Sequence, residues 1–236
     1  MPKKSFLPPV ENLQKFLDKA LESRDELSVL EAGCGSSSHF NFRQKVHLSG
    51  IDISEKQLQR NKQLQDAILG DIQYYEFQPN SYDVIICWAV LEHLQEPMLA
   101  LHKFNKAIKK VGLIVLELPN AFSLKGLLTT YTPFCIHTWY YRNIMGRKMV
   151  GKDDVGPFKT YLKFSIAPDR IKKYASQTGL EIAYFKTGDL GNMPYWVEKT
   201  RIARILIRIY KLLRDFGKIV SFGRLGDSDF VIVLKK

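Results

Sequence analysis

Cysteine is scarce in this chain of 236 residues: Cys34, Cys87 and Cys135 are odd in number, far apart and never paired as CxxC. They suggest neither a disulfide framework nor a zinc site, and the expected location is a reducing cytoplasm. No run approaches the roughly 18 uninterrupted apolar residues of a membrane span. The first ten residues, Met1 to Val10, are too short and too proline-rich for a secretory leader. No internal repeat, low-complexity tract or dividing linker appears, so one domain over 1–236 is expected.

Charge is present but unevenly placed. Residues 1–120 hold 14 Lys and Arg against 15 Asp and Glu, whereas residues 121–236 hold 21 against 9. The whole excess of the net +11 therefore lies in the second half. Such asymmetry points either to an anionic partner or to a solvated basic face.

Hydrophobic periodicity sets the frame. Helical spacing runs over Glu11–Ser23, Ser54–Leu64, Pro97–Lys110, Pro168–Thr178 and Glu198–Phe216. Ser54 with Gln57 matches a capping box, and Pro97 opens its helix just as Gly112 lies past its end. Short apolar or β-branched runs over Ser28–Glu31, Val46–Ile51, Asp66–Leu69, Tyr82–Trp88, Leu113–Leu118, Leu180–Lys186 and Phe230–Leu234 read as strands. Strands alternating with helices predict an α/β fold, doubly wound around a mostly parallel, Rossmann-like sheet of seven strands. The pattern dissolves between Ala121 and Phe164, a stretch longer than an ordinary connection. An inserted cap over 121–166 is expected there, beside a core over 27–120.

The chemistry-bearing segment is Val29-Leu30-Glu31-Ala32-Gly33-Cys34-Gly35-Ser36-Ser37. A strand delivers the chain to a turn whose glycines let backbone approach a ligand closely. Seventeen residues after Gly35, a second strand ends in Asp52, where a carboxylate can accept from both hydroxyls of a ribose. A third ends in Leu69-Gly70-Asp71-Ile72, and Asp71 can accept from an adenine amino group. The fourth, Tyr82–Trp88, runs into Ala89-Val90-Leu91-Glu92-His93-Leu94 at the carboxyl edge of the sheet. No third Gly opens a helix after the loop, because Ser36-Ser37-Ser38-His39 follow. That argues against a dehydrogenase, whose fingerprint cradles a pyrophosphate.

In this order and spacing, Leu-Glu-x-Gly-Cys-Gly, Gly-Ile-Asp-x-Ser, Gly-Asp, Tyr-Asp-Val-Ile, Leu-Glu-His-Leu and Gly-Leu-Ile-Val-Leu resemble class I S-adenosylmethionine-dependent methyltransferases of the small-molecule type. Ubiquinone-biosynthesis O-methyltransferases share the layout. The resemblance covers roughly residues 27–120 and recurs weakly in the final strands. It implies a sheet with an antiparallel last strand, S-adenosyl-L-methionine as cofactor and S-adenosyl-L-homocysteine as product. It implies Glu31, Ala32, Gly33 and Gly35 along the methionine part, Asp52 on the ribose and Ile53 beside the adenine. Asp71 with Ile72 would meet the adenine amino end, and Cys87 or Trp88 the methionine backbone. Two departures stand out: Ser37 replaces a usual third Gly, and Ser36–His47 is too short for a long first helix. Some ubiquinone-type relatives bind a metal through Glu-x-x-Glu-His; here Ala89 stands at the first Glu, so no metal is expected.

Methyl transfer from a sulfonium needs alignment above all, and a hydroxyl acceptor needs a base. His93 and His137 are the candidate bases. Each can equally be a packing residue, His93 under the cofactor and His137 within an aromatic cap, Tyr131–Tyr141. The helix over 198–216 carries Arg201, Arg204, Arg208 and Lys211 beside an apolar stripe. It can lie on anionic lipid, cap a pocket for an anionic acceptor, or pack on the core. The expected acceptor is a small or lipid-like molecule, methylated at oxygen. An RNA methyltransferase is disfavoured, because Cys87-Trp88-Ala89-Val90 is unlike the Asn-Pro-Pro-Tyr motif used on nucleobases. A non-catalytic cofactor-binding partner protein is the third reading.

Overall fold

Along strands β4 (Tyr82–Trp88) and β5 (Ile108–Pro119), five and seven consecutive side chains are buried. Such strands must be covered on both faces. The computed structural model describes residues 8–144, 158–188, 201–221 and 225–236. It places these two strands with β1 (Glu26–Ala32), β2 (Lys45–Asp52), β3 (Asp66–Leu69), β6 (Glu181–Gly188) and β7 (Asp229–Lys235) in one seven-stranded sheet. The order is β3-β2-β1-β4-β5-β7-β6. The pairings from β3 through β5 are parallel, and β7 is antiparallel to both β5 and β6. The expected doubly wound, mostly parallel sheet with an antiparallel last strand is what forms.

Alternate residues divide between two cores. On one face Ile85, Cys87, Ile114, Leu116, Phe230 and Ile232 pack with Leu101 and Phe104 of α3 (Pro97–Ala107) and Tyr174 of α6 (Pro168–Gln177). On the other, Val84, Ile86, Val115, Val231 and Val233 meet Leu13, Leu17 and Leu21 of α1 (Pro8–Ala20) and its exit. Those three leucines recur every fourth residue, the spacing of one helix face. Each is at most 1% exposed, a burial worth roughly 1.5–3 kcal/mol per side chain.

Two helices are shorter than their periodicity predicts. Helix α2 (Glu55–Arg60) stops at Asn61, which turns extended so that Gln65 N can donate to Leu48 O (2.9 Å) and open β3. Helix α3 ends at Ala107 because Ile108, fully buried, already belongs to β5. The described part of the segment expected to form a cap holds more regular structure than its sequence indicates. Helices α4 (Leu124–Tyr131) and α5 (Phe134–Trp139) run into a π-turn over Tyr140–Ile144. Ser123 caps α4 by accepting from Gly126 N. Helix α7 spans Arg201–Val220; residues 198–200 of the expected helix lie outside the described residues.

The order of strands reverses between β1 and β4. In open α/β sheets ligands bind at that crevice, outside the carboxyl ends of the strands.

Candidate functional site

Strand β1 ends at Ala32 and the chain turns at once through Gly33 (φ 74°) and Gly35 (φ 54°). Both lie in the left-handed region that L side chains avoid. The turn is held from beneath by β2: Gly33 N and Cys34 N both donate to Ile51 O, at 2.8 and 3.2 Å. A Cβ on Gly33 would stand 2.4 Å from Val90 Cγ2, so the loop rests directly on the segment leaving β4. A Cβ on Gly35 would meet nothing within 4 Å, so the space over that residue is open.

Asp52 ends β2 beside this turn. Its Oδ2 accepts from Gly35 N (2.9 Å) and its Oδ1 from Ser54 N (2.9 Å), while Ser54 Oγ caps α2. One carboxylate thus shapes both sides of the crevice, and each oxygen keeps a second lone pair. Ile53, next in the chain, is 73% exposed, and Leu69 at the end of β3 is 58% exposed. Asp71 closes that end, accepting from Gln73 N (2.8 Å) and from Gln73 Nε2.

The remaining residues of the expected set serve differently. Glu31 is 2% exposed and its Oε1 accepts from His39 N (2.9 Å), so it pins the loop from below. Ala32, Ile72 and Cys87 are buried in the core; what they turn to the crevice is backbone. Trp88 stacks on His39, with ring centroids 5.9 Å apart, and takes Phe40 edge-on. No helix forms between β1 and β2, as the short Ser36–His47 segment indicates. In its place loop residues Ser38, Phe40 and Phe42 roof a cavity of about 220 Å³ over Val46 and Leu48. Glu31 also lines that cavity, and Asp52 does not. Burial beside Asp52 and Glu31 pushes the Cys34 thiol up to about 12, so it is an inert packing group.

Beyond β4 the chain passes Ala89, held at φ 53°, and enters a single 3-10 turn over Leu91–His93. An alanine in that conformation costs on the order of 1 kcal/mol, strain of the kind stored at functional sites. The turn is covered by residues 158–162: Tyr161 N and Leu162 N donate to Glu92 O, at 2.8 and 3.0 Å. His93 Nδ1 lies 2.9 Å from Lys159 O. A carbonyl only accepts, so Nδ1 carries the proton and Nε2 the lone pair. Burial holds the imidazole below its ordinary value, which keeps that lone pair available at neutral pH. His137 behaves otherwise. Its Nε2 lies 2.6 Å from Thr132 Oγ1 and 3.2 Å from Thr132 O, contacts within its own segment. The expected aromatic pocket around it is open, with Tyr131 75% and Trp139 58% exposed.

Three buried acids complete this edge, and sequence reading missed two of them. Glu92 (6% exposed), Glu117 near the end of β5 (7%) and Asp229 at the start of β7 (3%) gather there with Lys125 of α4. Lys125 Nζ pairs with Asp229 Oδ1 at 2.8 Å, and Ser228 Oγ donates to Asp229 Oδ2. The available signals were an acid interrupting the apolar run Leu113–Leu118 and another just ahead of Phe230.

A doubly wound sheet whose switch point carries a glycine turn, the acid Asp52 and the exposed Ile53 has the layout of a nucleoside-binding α/β fold. The methyltransferase domain family matches residues 5–153. The chain belongs to that family and is an S-adenosylmethionine-dependent methyltransferase. It is 23% identical over 210 residues to the ubiquinone biosynthesis O-methyltransferase of Leptothrix cholodnii, covering 83% of each chain. An uncharacterised protein of Methanocaldococcus jannaschii is 29% identical over 109 residues, about half of either chain. In three dimensions the chain superposes on an S-adenosylmethionine-dependent methyltransferase from Archaeoglobus fulgidus with a TM-score of 0.53. That match has 16% identity and covers 96% and 94% of the two chains. The crevice suits the cofactor: open space over Gly35, an exposed apolar ledge at Ile53 and free lone pairs on Asp52.

Proposed function

We propose that this protein methylates a hydroxyl oxygen of a small, lipid-like acceptor, with His93 as the base. In this reading Asp52 binds the ribose, Ile53 flanks the adenine, and Asp71 with the Ile72 backbone receives the adenine edge. The Glu31–Gly35 turn and the Cys87–Trp88 backbone hold the methionine part. The cofactor supplies an electrophilic methyl group; the chain supplies alignment, exclusion of water and a proton acceptor. The observation that carries the assignment is the fixed tautomer of His93, three residues past the Val90 that supports Gly33. His137 is left as a cap residue, its ring engaged by Thr132. Relatives named for O-methylation support oxygen as the atom.

Helix α7 supports the lipid-like character of the acceptor. Ile205, Ile209, Leu212, Leu213, Phe216 and Ile219 follow helical spacing yet are 46–75% exposed. Arg208 and Lys211 flank that stripe, and Arg214 pairs with Asp215, the helix's single acid, at 2.8 Å. An apolar stripe with cationic flanks matches the charge and depth of an anionic bilayer surface. No helix among the described residues is long and apolar enough to cross a membrane.

Methyl-labelled S-adenosylmethionine incubated with total metabolite and lipid extracts should label an organic-phase product. The His93→Ala variant should slow the labelling by about 10²–10⁴-fold, the usual contribution of a general base. Label recovered in RNA would overturn the acceptor class. For the helix, flotation with vesicles of neutral and of anionic lipid is expected to show binding to the anionic ones alone. The Leu212→Glu/Phe216→Glu double variant should lose it. A stable dimer in solution that the same variant dissolves would assign the stripe to a second copy instead.

A further inference from the structure

The sheet shows at its opposite edge how it compensates a buried acid. Asp83, 6% exposed, accepts from Ser28 N (2.9 Å) and is flanked by both Arg24 and Lys109. At the carboxyl edge the balance is reversed. Glu92, Glu117 and Asp229 share one cation, Lys125, and its ion pair goes to Asp229. Two glutamates therefore remain inside the protein without a counter-ion of their own among the described residues. Glu92 Oε2, fully shielded from solvent, has no hydrogen-bond partner among the described residues. A buried carboxylate left so would cost several kcal/mol, and such groups stay neutral until a positive charge arrives. The reaction brings one, because the methyl donor is a sulfonium.

We propose that Glu92 and Glu117 form the proton sink of the methyl transfer: the pair carries one negative charge while the cationic donor is bound, and takes up the acceptor's proton as that charge disappears. The inference rests on the methyltransferase reading above.

The atoms and charges balance. The acceptor oxygen forms a bond to the methyl carbon, and the S–CH3 pair returns to sulfur, which becomes a neutral thioether. The acceptor O–H bond breaks and its proton passes to His93 Nε2, then to the glutamate pair. Glu92 Oε1 lies 3.9 Å from His93 Nε2, so a shift of about 1 Å brings the two into hydrogen-bond distance. One sulfonium and one carboxylate become one thioether and one carboxylic acid. The site is neutral before and after, as a low-dielectric interior requires.

The groups facing the pair are Cys87 of β4, Asp229 of β7, Lys125 of α4 and His93 itself, with Tyr140 and Tyr141 of the π-turn beyond Lys125. Burial pushes Glu92 up to about 8 and lifts Glu117 well above the ordinary carboxylate range; Asp229 reinforces both and Lys125 opposes them. Both glutamates thus hold their protons at neutral pH when no cation is present. Glu92 and Glu117 act through His93 and are positioning residues by this account.

Calorimetric titration of the full chain at pH 7 tests the idea. S-adenosylmethionine and S-adenosylhomocysteine are each titrated in phosphate and in Tris, whose heats of ionisation differ. Binding of the sulfonium should release about one proton more than binding of the thioether. That difference should vanish in the Glu92→Gln/Glu117→Gln double variant, with binding retained. Equal proton release by the two ligands in the wild type overturns the inference and leaves the enzyme assignment standing. So does a difference that survives in the double variant. Failure of both ligands to bind would overturn the enzyme assignment as well.

Discussion

Replacing Asp52 with alanine is expected to weaken binding of S-adenosylmethionine by about 100-fold or more. Asp52 holds Gly35 N and Ser54 N, each at 2.9 Å, and its remaining lone pairs are the proposed ribose acceptors. Bonds to a charged acceptor are worth about 1.5–3 kcal/mol each, and every 1.4 kcal/mol is a factor of about ten in affinity. Two lost ribose bonds alone reach two orders of magnitude, before any loosening of the glycine turn. The fold should survive, since Asp52 is only half-buried and contributes nothing to either core. Calorimetry with the cofactor, beside a thermal melt, measures both effects. Affinity within about threefold of wild type would remove Asp52 from the cofactor site. Asp52→Asn, which keeps one acceptor oxygen, should fall between.

The second large effect concerns stability and pH. Below the ordinary carboxylate range, folded and unfolded chains both hold the Glu92 proton. Between that range and about 8, where burial places the folded group, only the folded chain holds it. The native state then binds more protons than the unfolded one, so stability falls as pH rises through this window. Above about 8 the folded group ionises too and the loss is complete. Glu92→Gln keeps the shape and cannot ionise, so the variant should melt higher at pH 8 while changing little at pH 5. For a chain of this size, each kcal/mol moves the midpoint by about 2–4 °C. Parallel pH slopes in wild type and variant would refute the burial of an uncompensated acid. A gain in stability at the cost of turnover is the usual signature of a strained functional group.

Much of the candidate donor site could be assembled from the chain because its residues are local. Gly33 and Gly35 sit in one turn, Asp52 and Asp71 each end a strand, and Ser54 caps a helix one residue after Ile53. Each position follows from strand ends and backbone geometry. The acceptor edge could not be read that way. Glu117 hides within an apolar strand, and Asp229 becomes its neighbour only because β7 pairs with β5. The tautomer of His93 depends on Lys159, 66 residues away. The outward aim of the α7 stripe is likewise invisible to periodicity, which reports that a face exists and not what it meets. Helix ends slipped where a strand claimed the residues, as Ile108 did.

The place of β7 has a consequence in time. It lies between β5 and β6 although both precede it in the chain. As the polypeptide emerges, β5 presents a bare row of amides and carbonyls beside a finished donor crevice, and β6 has nothing to dock on. When β7 arrives it closes that gap, sets Asp229 opposite Pro119 and gives Lys125 its partner in one step. The acidic floor is therefore complete only once the last strand is in place. The two halves of the active site have different birthdays.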